Sequence, residues 1–177
     1  TQLSEHPIGE GLSDWPFLGA DPFEASATVV ALDDPSCPRC AAFHEDTVPE
    51  IEANLVQDGG SFVNRPYPVV YDWGPPAAQS LEAVFDRDEE VFWDLQAFYF
   101  ENQSDFGTGN VLERTEGWLN ENTDLDGGAV VEDVRNDEYG DRIQATLDAA
   151  EAAEAGQVTP VVYMFRDGEL RSVGTGR

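Results

Sequence analysis

The sequence predicts an α/β protein in which a block of helices interrupts a small β-sheet. The apolar, β-branched run 27–32 is typical of a buried strand, and apolar residues spaced by three or four follow over 40–55, as on one face of a helix. The spacing is again helical over 77–155. Two further apolar runs are then joined by Asp167-Gly168, a strong signal for an antiparallel hairpin.

The N-terminal stretch is rich in Gly, Pro, Ser and acidic residues, with a few scattered apolar ones. We expect it to form an extended arm that docks on the core. A strand over 62–71 is expected before the Gly-Pro-Pro break at 74–76. The expected organisation is an extended N-terminal arm (1–27), a half-domain with both cysteines (28–74), an all-helical insertion (75–156) and a C-terminal hairpin (157–177).

The insertion is expected to contain five helices. Asp88 is expected to cap the second of them, and Gly156 to end the last. The aromatic residues of the second helix are expected to pack in the core rather than to line a cofactor site. The apolar positions that mark the five helices are Leu81, Val84 and Phe85; Val91, Phe92, Leu95, Phe98 and Tyr99; Val111, Leu112, Trp118 and Leu119; Val130, Val131 and Val134; and Ile143, Leu147, Ala150 and Ala153.

The only two cysteines, Cys37 and Cys40, form a C-x-x-C pair where the first strand runs into the first helix. The unpaired N–H groups and partial positive charge of a helix N-terminus stabilise a thiolate, the species that attacks disulfides. Cys37 is expected at or just before the N-cap, as the more exposed and more acidic thiol, with Cys40 as a buried resolving thiol. Pro38 suits the first helical position, and Arg39 is expected to add a positive charge beside the sulfurs.

Two alternative roles for the cysteine pair, a zinc site and a structural disulfide, are less favoured. A zinc site needs two more ligands, and the only histidines are His6, in a loose terminal stretch, and His44, on the same helix as Cys40. A structural disulfide across so short a loop adds little chain-entropy stabilisation. The sequence also has no glycine-rich phosphate-binding loop. Thiol–disulfide chemistry without a metal or cofactor is therefore favoured.

A second landmark is Thr159-Pro160, just before the C-terminal hairpin. Proline is tolerated at the start of a strand and most X–Pro bonds are trans, so an ordinary trans proline is the default expectation. A strand, C-P-x-C, a helix and a distant T-P before a hairpin, in this order, resemble the DsbA-like branch of the thioredoxin superfamily. The segments that show the resemblance are 16–22, 34–40, 65–68 and 92–103.

This resemblance implies a thioredoxin fold with an inserted all-helical subdomain and the activity of a thiol–disulfide oxidoreductase. It also implies that Pro160 is a cis-proline facing the cysteines, with Thr159 presenting its backbone to a substrate chain. The chain departs from the family pattern six residues before the first cysteine. Ala31 stands there in place of a buried acid, so Asp33, Asp34 or water would have to accept the proton of the buried thiol.

The C-terminus is a second departure, because 174–177 are too few and too glycine-rich for the helix that ends the family. We expect either that the N-terminal segment covers this face of the sheet or that the chain is truncated. The chain begins at Thr1 rather than Met, which suggests that an upstream segment is removed. A thiol oxidant belongs outside the reducing cytoplasm, so an extracellular or cell-surface location is expected, with a cytoplasmic one left open.

The charge of the chain is extreme. Its 36 acidic residues stand against 9 basic residues, all of them arginine, for a net charge of −27. In ~1 M salt the Debye length falls to ~3 Å and this self-repulsion is largely screened. The composition therefore favours an extremely halophilic organism, an archaeon, over an ordinary acidic protein. It also argues against nucleic acid and anionic membranes as partners, and no run is apolar enough to insert into a membrane.

Together these expectations describe a thiol–disulfide oxidoreductase that exchanges disulfides with cysteine-containing protein substrates through Cys37 and Cys40. A dithiol oxidase served by an unidentified redox partner is the first hypothesis. A reductase or isomerase of the same fold is one alternative, which Thr159 and Ala31 leave open. The second alternative is a redox-inert thioredoxin-fold module that binds a partner or peptide.

Overall fold

The computed structural model describes residues 1–175, which form a five-stranded mixed sheet in the order β1-β3-β2-β4-β5. β2 and β3 are parallel, and the remaining neighbouring strands are antiparallel. The parallel pair needs a crossover, which the helices after the cysteines supply. The strands are β1 (Phe17–Gly19), β2 (Ala27–Asp33), β3 (Ser61–Pro66), β4 (Val161–Arg166) and β5 (Glu169–Gly174).

Among the described residues the α-helices are α1 (Pro38–Asp46), α2 (Val48–Ile51), α3 (Gly74–Phe85), α4 (Glu89–Glu101), α5 (Val111–Asn122), α6 (Gly127–Arg135) and α7 (Gly140–Ala152). The first two replace the single helix expected over 40–55. α1 ends at Asp46, and a π-helical turn, Glu52–Val56, follows α2. Pro49 explains the break, because proline has no N–H for the carbonyl four residues earlier and its ring crowds that carbonyl.

Both faces of β2 are buried, which explains why its sequence is apolar throughout rather than alternating. Val29 and Ala31 pack with Phe43 of α1 on one face of the sheet. Val30 and Leu32 belong to a second cluster on the opposite face, formed with the N-terminal residues and α7. The strand therefore runs through the centre of the molecule and delivers its carboxyl end to the cysteines.

The N-terminal residues cover the second face of the sheet. They form three short 3-10 turns and β1, which pairs with β3, so they differ from the extended arm predicted for 1–27. The reason is the spacing of their apolar residues, which these turns bring to the same side. The expectation that this segment covers the sheet face agrees with the structure. The buried residues that do so are Leu3, Ile8, Leu12 and Trp15.

The ring of Trp15 contacts two arginines that belong to different parts of the chain. The guanidinium of Arg65, on β3, is 4.4 Å from the ring centre, and that of Arg142, on α7, is 3.6 Å away. Arg142 also donates to the carboxylate of Glu82 on α3 over 3.0 Å. Burial raises the pKa of Glu82 to about 7. These contacts fasten the N-terminal segment to the sheet and to the helices.

The helices after β3 divide between two cores. α3 to α6 build a core of their own, in which the aromatic residues of α4 are packed. α7 instead places Ala149 and Ala150 against the sheet with the N-terminal residues. The predicted insertion 75–156 thus corresponds to helices that begin at Gly74 and end at Ala152, and the last of them belongs to the sheet layer.

The C-terminal hairpin turns at Asp167 and Gly168, whose φ angles are 51° and 78°. Positive φ at both central residues is the geometry that hairpin turns of this length require. Residues 176 and 177 of the segment predicted over 157–177 lie outside the described residues. No helix among residues 1–175 combines the length and the apolar character needed to cross a membrane.

Candidate active site

Cys37 is the N-cap residue of α1 and Pro38 is the first residue of the helix. The sulfur of Cys37 therefore lies at the positive end of the helix, where the backbone N–H of Cys40 donates to it over 3.4 Å. Both cysteines are free thiols, so the structure is that of the dithiol form. Cys37 is only 3% exposed against 0% for Cys40, a smaller difference than the sequence suggests.

The surroundings of Cys37 lower the pKa of its thiol from the ordinary 9.0 to about 6. The largest cause is a hydrogen bond from the Cys40 side chain, with smaller contributions from Thr159 and from the backbone N–H groups of Arg39 and Cys40. Burial acts in the opposite direction and is outweighed. At neutral pH, Cys37 is therefore mostly thiolate.

The same surroundings raise the pKa of Cys40 far above its usual range. Burial is the largest cause, followed by the hydrogen bond to Cys37 and the negative charge of Asp33. The backbone N–H of Asp34, 3.5 Å from the sulfur of Cys40, opposes this weakly. The site thus contains one thiol that ionises near pH 6 and a neighbour that stays protonated.

Thr159 and Pro160 lie directly opposite the N-terminus of α1. The peptide bond between them is cis, and the sulfur of Cys37 lies 3.6 Å from the carbonyl oxygen of Thr159, to which it donates when protonated. Both residues precede β4, which is the antiparallel neighbour of β2, so the sheet brings them to the carboxyl end of the strand that leads to the cysteines. The fold therefore joins the two landmarks of the sequence in one site.

Arg39 contacts the C-terminal end of the described chain. Its side chain is exposed, and its guanidinium donates to the carbonyl oxygen of Thr175 over 3.1 Å. Arg39 lowers the pKa of Cys37 through its backbone N–H. The guanidinium thus holds the C-terminal segment, and the effect of its positive charge on the two sulfurs stays a prediction.

The carboxylate of Asp34 fixes the loop that leads to the cysteines. It accepts hydrogen bonds from the backbone N–H and the hydroxyl of Ser36, and from the backbone N–H groups of Val69 and Val70, all between 2.7 and 2.8 Å. Burial raises the pKa of this carboxyl. These bonds also explain why β3 ends at Pro66 instead of reaching residue 71, because the N–H groups that would extend the strand point to Asp34.

Gln103 connects the helical unit to the same loop. Its amide group donates to the carbonyl oxygens of Pro35 and Cys37, over 3.0 and 2.9 Å. These two contacts join residues that are 68 and 66 positions apart in the chain. The backbone around Cys37 is therefore held from both sides, by Asp34 of its own loop and by Gln103 in the turn that follows α4.

Asp33 lies two residues after Ala31 and therefore on the same face of β2. Its Oδ2 atom is 2.6 Å from Nε2 of His44, on α1, and accepts a 2.7 Å hydrogen bond from the amide of Asn64, on β3. Ala31 itself is fully buried and has no ionisable group. An acid is therefore present on the α1 side of the sheet, one pleat closer to the cysteines than the family pattern places it.

The sequence indicates the cysteines and the Thr159-Pro160 landmark, whereas the contacts that bring His44, Asn64 and Gln103 into the site emerge only in the structure. His44 has a visible signal, since it follows Cys40 by four residues and so lies on the same side of α1. Asn64 and Gln103 have none, because only the folded topology brings them to β2 and to the active-site loop. His6 lies elsewhere, with its ring against Tyr163.

A C-x-x-C pair that caps a helix, with Thr159 and Pro160 opposite it, on a sheet with a helical insertion, makes this protein a DsbA-like thiol–disulfide oxidoreductase. A family model described as Thioredoxin matches residues 17–169, and the chain belongs to this family. The predicted thioredoxin fold with a helical insertion is confirmed, as is the resemblance to the DsbA-like branch.

Comparisons with individual proteins agree with this placement. "Disulfide bond formation protein D" of Bacillus subtilis is 29% identical over 154 residues, which are 84% of this chain and 67% of that protein. The oxidised crystal structure of BdbD from the same species superposes with a TM-score of 0.78 at 23% identity, covering 91% of this chain and 85% of that one. The thiol-disulfide exchange protein alpha-DsbA2 of Wolbachia pipientis superposes with a TM-score of 0.72 at 20% identity, covering 96% of this chain and 86% of that one.

Proposed function

We propose that this protein is a dithiol oxidase, which passes a disulfide between Cys37 and Cys40 to cysteine-containing protein substrates. The proposal rests on one observation, the contrast between the two thiols. Cys37 has a pKa of about 6, whereas the pKa of Cys40 is raised far above its usual range. A thiol that ionises easily is also a good leaving group, so Cys37 is suited to form and to release a mixed disulfide.

The mechanism follows from these two environments. A substrate thiolate attacks Cys37 of the oxidised pair, the bond between Cys37 and Cys40 breaks, and the sulfur of Cys40 takes up a proton. A second substrate thiolate then attacks the substrate sulfur of the mixed disulfide. The substrate leaves with a disulfide, and Cys37 leaves as a thiolate held by α1 and by Cys40. Two electrons pass from the substrate to the protein.

The stabilised thiolate sets the direction of the reaction. Any interaction that favours the reduced form over the disulfide makes the disulfide a stronger oxidant. At neutral pH the thiolate of Cys37 is favoured by the hydrogen bond from Cys40 and by the end of α1. An oxidase is therefore the first choice, and a reductase or isomerase of the same fold is the alternative.

The equilibrium reduction potential of the pair, measured against glutathione in molar potassium chloride, decides between them. A value of about −120 mV, as in strong oxidants of this superfamily, supports the oxidase. A value of about −270 mV, as in thioredoxin, identifies a reductase and refutes the proposed direction. If Cys37 does not react with disulfides or alkylating reagents in this buffer, the protein is a redox-inert binding module instead.

Two matched variants test the roles of the cysteines. Cys37→Ser is expected to abolish mixed-disulfide formation with a cysteine-containing peptide, because the attacking sulfur is lost. Cys40→Ser is expected to accumulate the mixed disulfide, because the resolving sulfur is lost. Mass spectrometry of the trapped species distinguishes the two. Accumulation in Cys37→Ser rather than in Cys40→Ser would reverse the assignment.

We further assign Thr159 and Pro160 to substrate binding, with Pro38 and Arg39 as parts of the active-site loop. The carbonyl oxygen of Thr159 lies 3.6 Å from the sulfur of Cys37, so a peptide joined to that sulfur runs past it. A substrate backbone can then pair with residue 159 as an added strand would.

The place of action is proposed from the chemistry and the charge. Dithiol oxidation suits an oxidising compartment, so we place the protein outside the cell or at its surface. The relative in Bacillus subtilis is named for disulfide bond formation. The net charge of −27, without a single lysine, favours an extremely halophilic organism. Within residues 1–175 the salt bridges of arginine are Arg87–Asp133 and Arg142–Glu82, so most carboxylates have no cation beside them.

The salt dependence of stability tests this environment. Raising potassium chloride from about 0.1 M to about 2 M shortens the screening length from about 10 Å to a few ångströms and so weakens the repulsion between carboxylates. The urea midpoint of unfolding, followed by circular dichroism at pH 7.5, is expected to rise over this range. A midpoint that stays constant or falls argues against a halophilic origin without affecting the thiol chemistry.

A further inference from the structure

We propose that Asp33 and His44 together accept the proton of Cys40 and exchange it with solvent through the groove between α1 and α4. The inference rests on the proposed function, because it concerns the step in which Cys40 acts. The sequence suggests Asp33 as only one of three possible proton acceptors, beside Asp34 and water, and it suggests His44 only as a zinc ligand.

The need for such a pair follows from the burial of Cys40. Its side chain is fully buried, and its pKa is strongly raised, so bulk water does not take its proton directly. Ala31, where the family pattern has an acid, carries no ionisable group. Each turnover nevertheless adds a proton to the sulfur of Cys40 and removes one, so another group must exchange it.

Asp33 is placed to receive this proton. Its side chain is 2% exposed, and the backbone N–H of the next residue, Asp34, lies 3.5 Å from the sulfur of Cys40. The negative charge of Asp33 is one of the causes that raise the pKa of Cys40. Oδ2 accepts from Asn64 and lies 2.6 Å from the ring of His44. A buried carboxylate with two such neighbours is held in a single orientation.

Asp34, the second nearby acid, is unsuited to this role. Its two oxygens already accept four hydrogen bonds, two from Ser36 and one each from the N–H groups of Val69 and Val70. A proton on Asp34 would displace one of these donors and release the loop. Asp34 is therefore a structural acid, and Asp33 is the acid next to Cys40 that has a path outward.

His44 provides that path. It follows Cys40 by one helical turn, and its side chain is 12% exposed, against 2% for Asp33. It lines a groove of about 780 Å³ between α1, α2 and α4, where its ring lies 4.6 Å from that of Phe100. The titratable groups that line the same groove are the carboxylates of Glu45, Glu52, Glu90 and Glu101.

The proton balance closes in both directions. When the pair is oxidised again, Asp33 takes the proton of Cys40, the sulfur of Cys40 bonds to that of Cys37, and the partner sulfur leaves Cys37 as a thiolate. The imidazole of His44, which exchanges protons at both ring nitrogens, passes the proton to water in the groove. When a substrate is oxidised, the same pair returns a proton to Cys40 as the bond to Cys37 breaks.

The test is stopped-flow oxidation of the reduced protein by excess oxidised glutathione in molar potassium chloride. Attack by Cys37 gives a phase whose rate rises with glutathione concentration, and closure by Cys40 gives a later phase that does not depend on it. Asp33→Asn is expected to slow closure by at least about tenfold, a lower bound for the loss of a proton acceptor that typically contributes about 10²–10⁴-fold, while the first phase stays within about twofold. His44→Gln, which still donates a hydrogen bond to Asp33, is expected to slow closure while Asp33 remains in place.

Whether Asp33→Asn slows or speeds closure distinguishes proton transfer by Asp33 from a purely electrostatic effect of its charge. If Asp33 acted only through its charge, its removal would lower the pKa of Cys40 and speed closure; unchanged or faster closure in Asp33→Asn overturns the inference. Glu45→Gln removes one exposed carboxylate from the same helix and groove, and is expected to leave both phases within about twofold. Unchanged closure in His44→Gln overturns the route to solvent even if Asp33→Asn does not fold. A wild-type protein without the first phase contradicts the proposed function itself.

Discussion

The contrast between the two thiols predicts how the reactivity of Cys37 changes with pH and with the residue at position 40. The pKa of Cys37 is about 6 chiefly because the side chain of Cys40 donates a hydrogen bond to it. Cys40→Ala removes this donor, whereas Cys40→Ser keeps a hydroxyl group in its place. The alanine variant is therefore expected to raise the pKa of Cys37 toward 9.0, and the serine variant to raise it less.

The size of the effect follows from the fraction of thiolate. At pH 7 a thiol with a pKa of about 6 is about 90% ionised, whereas one with a pKa of 9.0 is about 1% ionised. The helix end, Thr159 and the backbone N–H groups remain in Cys40→Ala, so part of the lowering survives. Alkylation of Cys37 at pH 7 is therefore expected to slow by about tenfold, short of the full difference.

The assay is the rate of alkylation by iodoacetamide from pH 4.5 to 9.5, with mass spectrometry to confirm one modified sulfur. The wild type is expected to reach its half-maximal alkylation rate near pH 6. The midpoint of Cys40→Ser is expected at a higher pH, and that of Cys40→Ala at the highest pH of the three. Cys37→Ala gives the background. Three coincident profiles, or a wild-type midpoint near pH 9, would refute the assignment of the low pKa to Cys40.

The same pKa predicts how the stability of the reduced protein depends on pH. Because the folded pKa of Cys37 lies below the unfolded value, the thiolate adds stability that is complete above pH 9 and is lost as the pH falls through 6. The contribution amounts to about 4 kcal/mol at high pH and about 1.4 kcal/mol at pH 7. Urea unfolding of the reduced wild type and of Cys37→Ala measures it as a difference that grows with pH.

Two further predictions concern residues that support the structure around the site. A Cβ on Gly74 would lie 2.7 Å from Oδ1 of Asp34, so Gly74→Ala is expected to cost about 1–3 kcal/mol of unfolding free energy. Gly117→Ala, where a Cβ would meet nothing outside its own stretch of α5 within 4 Å, is the control and is expected to gain up to about 1 kcal/mol. Arg142→Leu leaves Glu82 buried and unpaired, at a cost of about 3 kcal/mol at pH 8 that shrinks by pH 5 as Glu82 protonates. Urea unfolding of the wild type and of Arg142→Leu at pH 8 and pH 5 measures this loss of unfolding free energy. An equal loss at the two pH values would contradict the role given to Glu82.

The sequence reveals those parts of the site that depend on local structure. The strand before Cys37, the proline after it and the turn at Asp167 and Gly168 are set by residues next to each other in the chain. Their geometry is therefore visible in residue type and spacing alone. The fold could be predicted because these local signals occur in an order that a known family shares.

Most of the features that the sequence does not reveal depend on long-range contacts. The break of the first helix at Pro49 is the exception, because a proline inside a helical pattern is a local signal. The pairing of Asp33 with Asn64 joins residues 31 positions apart, and the contact of Gln103 with the backbone of Cys37 joins residues 66 positions apart. Such contacts follow from how β2 and β3 pair and from where the helices pack, so the spacing of residues in the sequence does not predict them.

The amide of Gln103 has a further consequence for the speed of the reaction. It holds the carbonyl groups of Pro35 and Cys37, while Asp34 holds the opposite side of the loop. The backbone around the cysteines is thus fixed before a disulfide forms or breaks. Each redox cycle then requires rotation of two side chains rather than rearrangement of the chain, so little energy is spent on reorganising the loop.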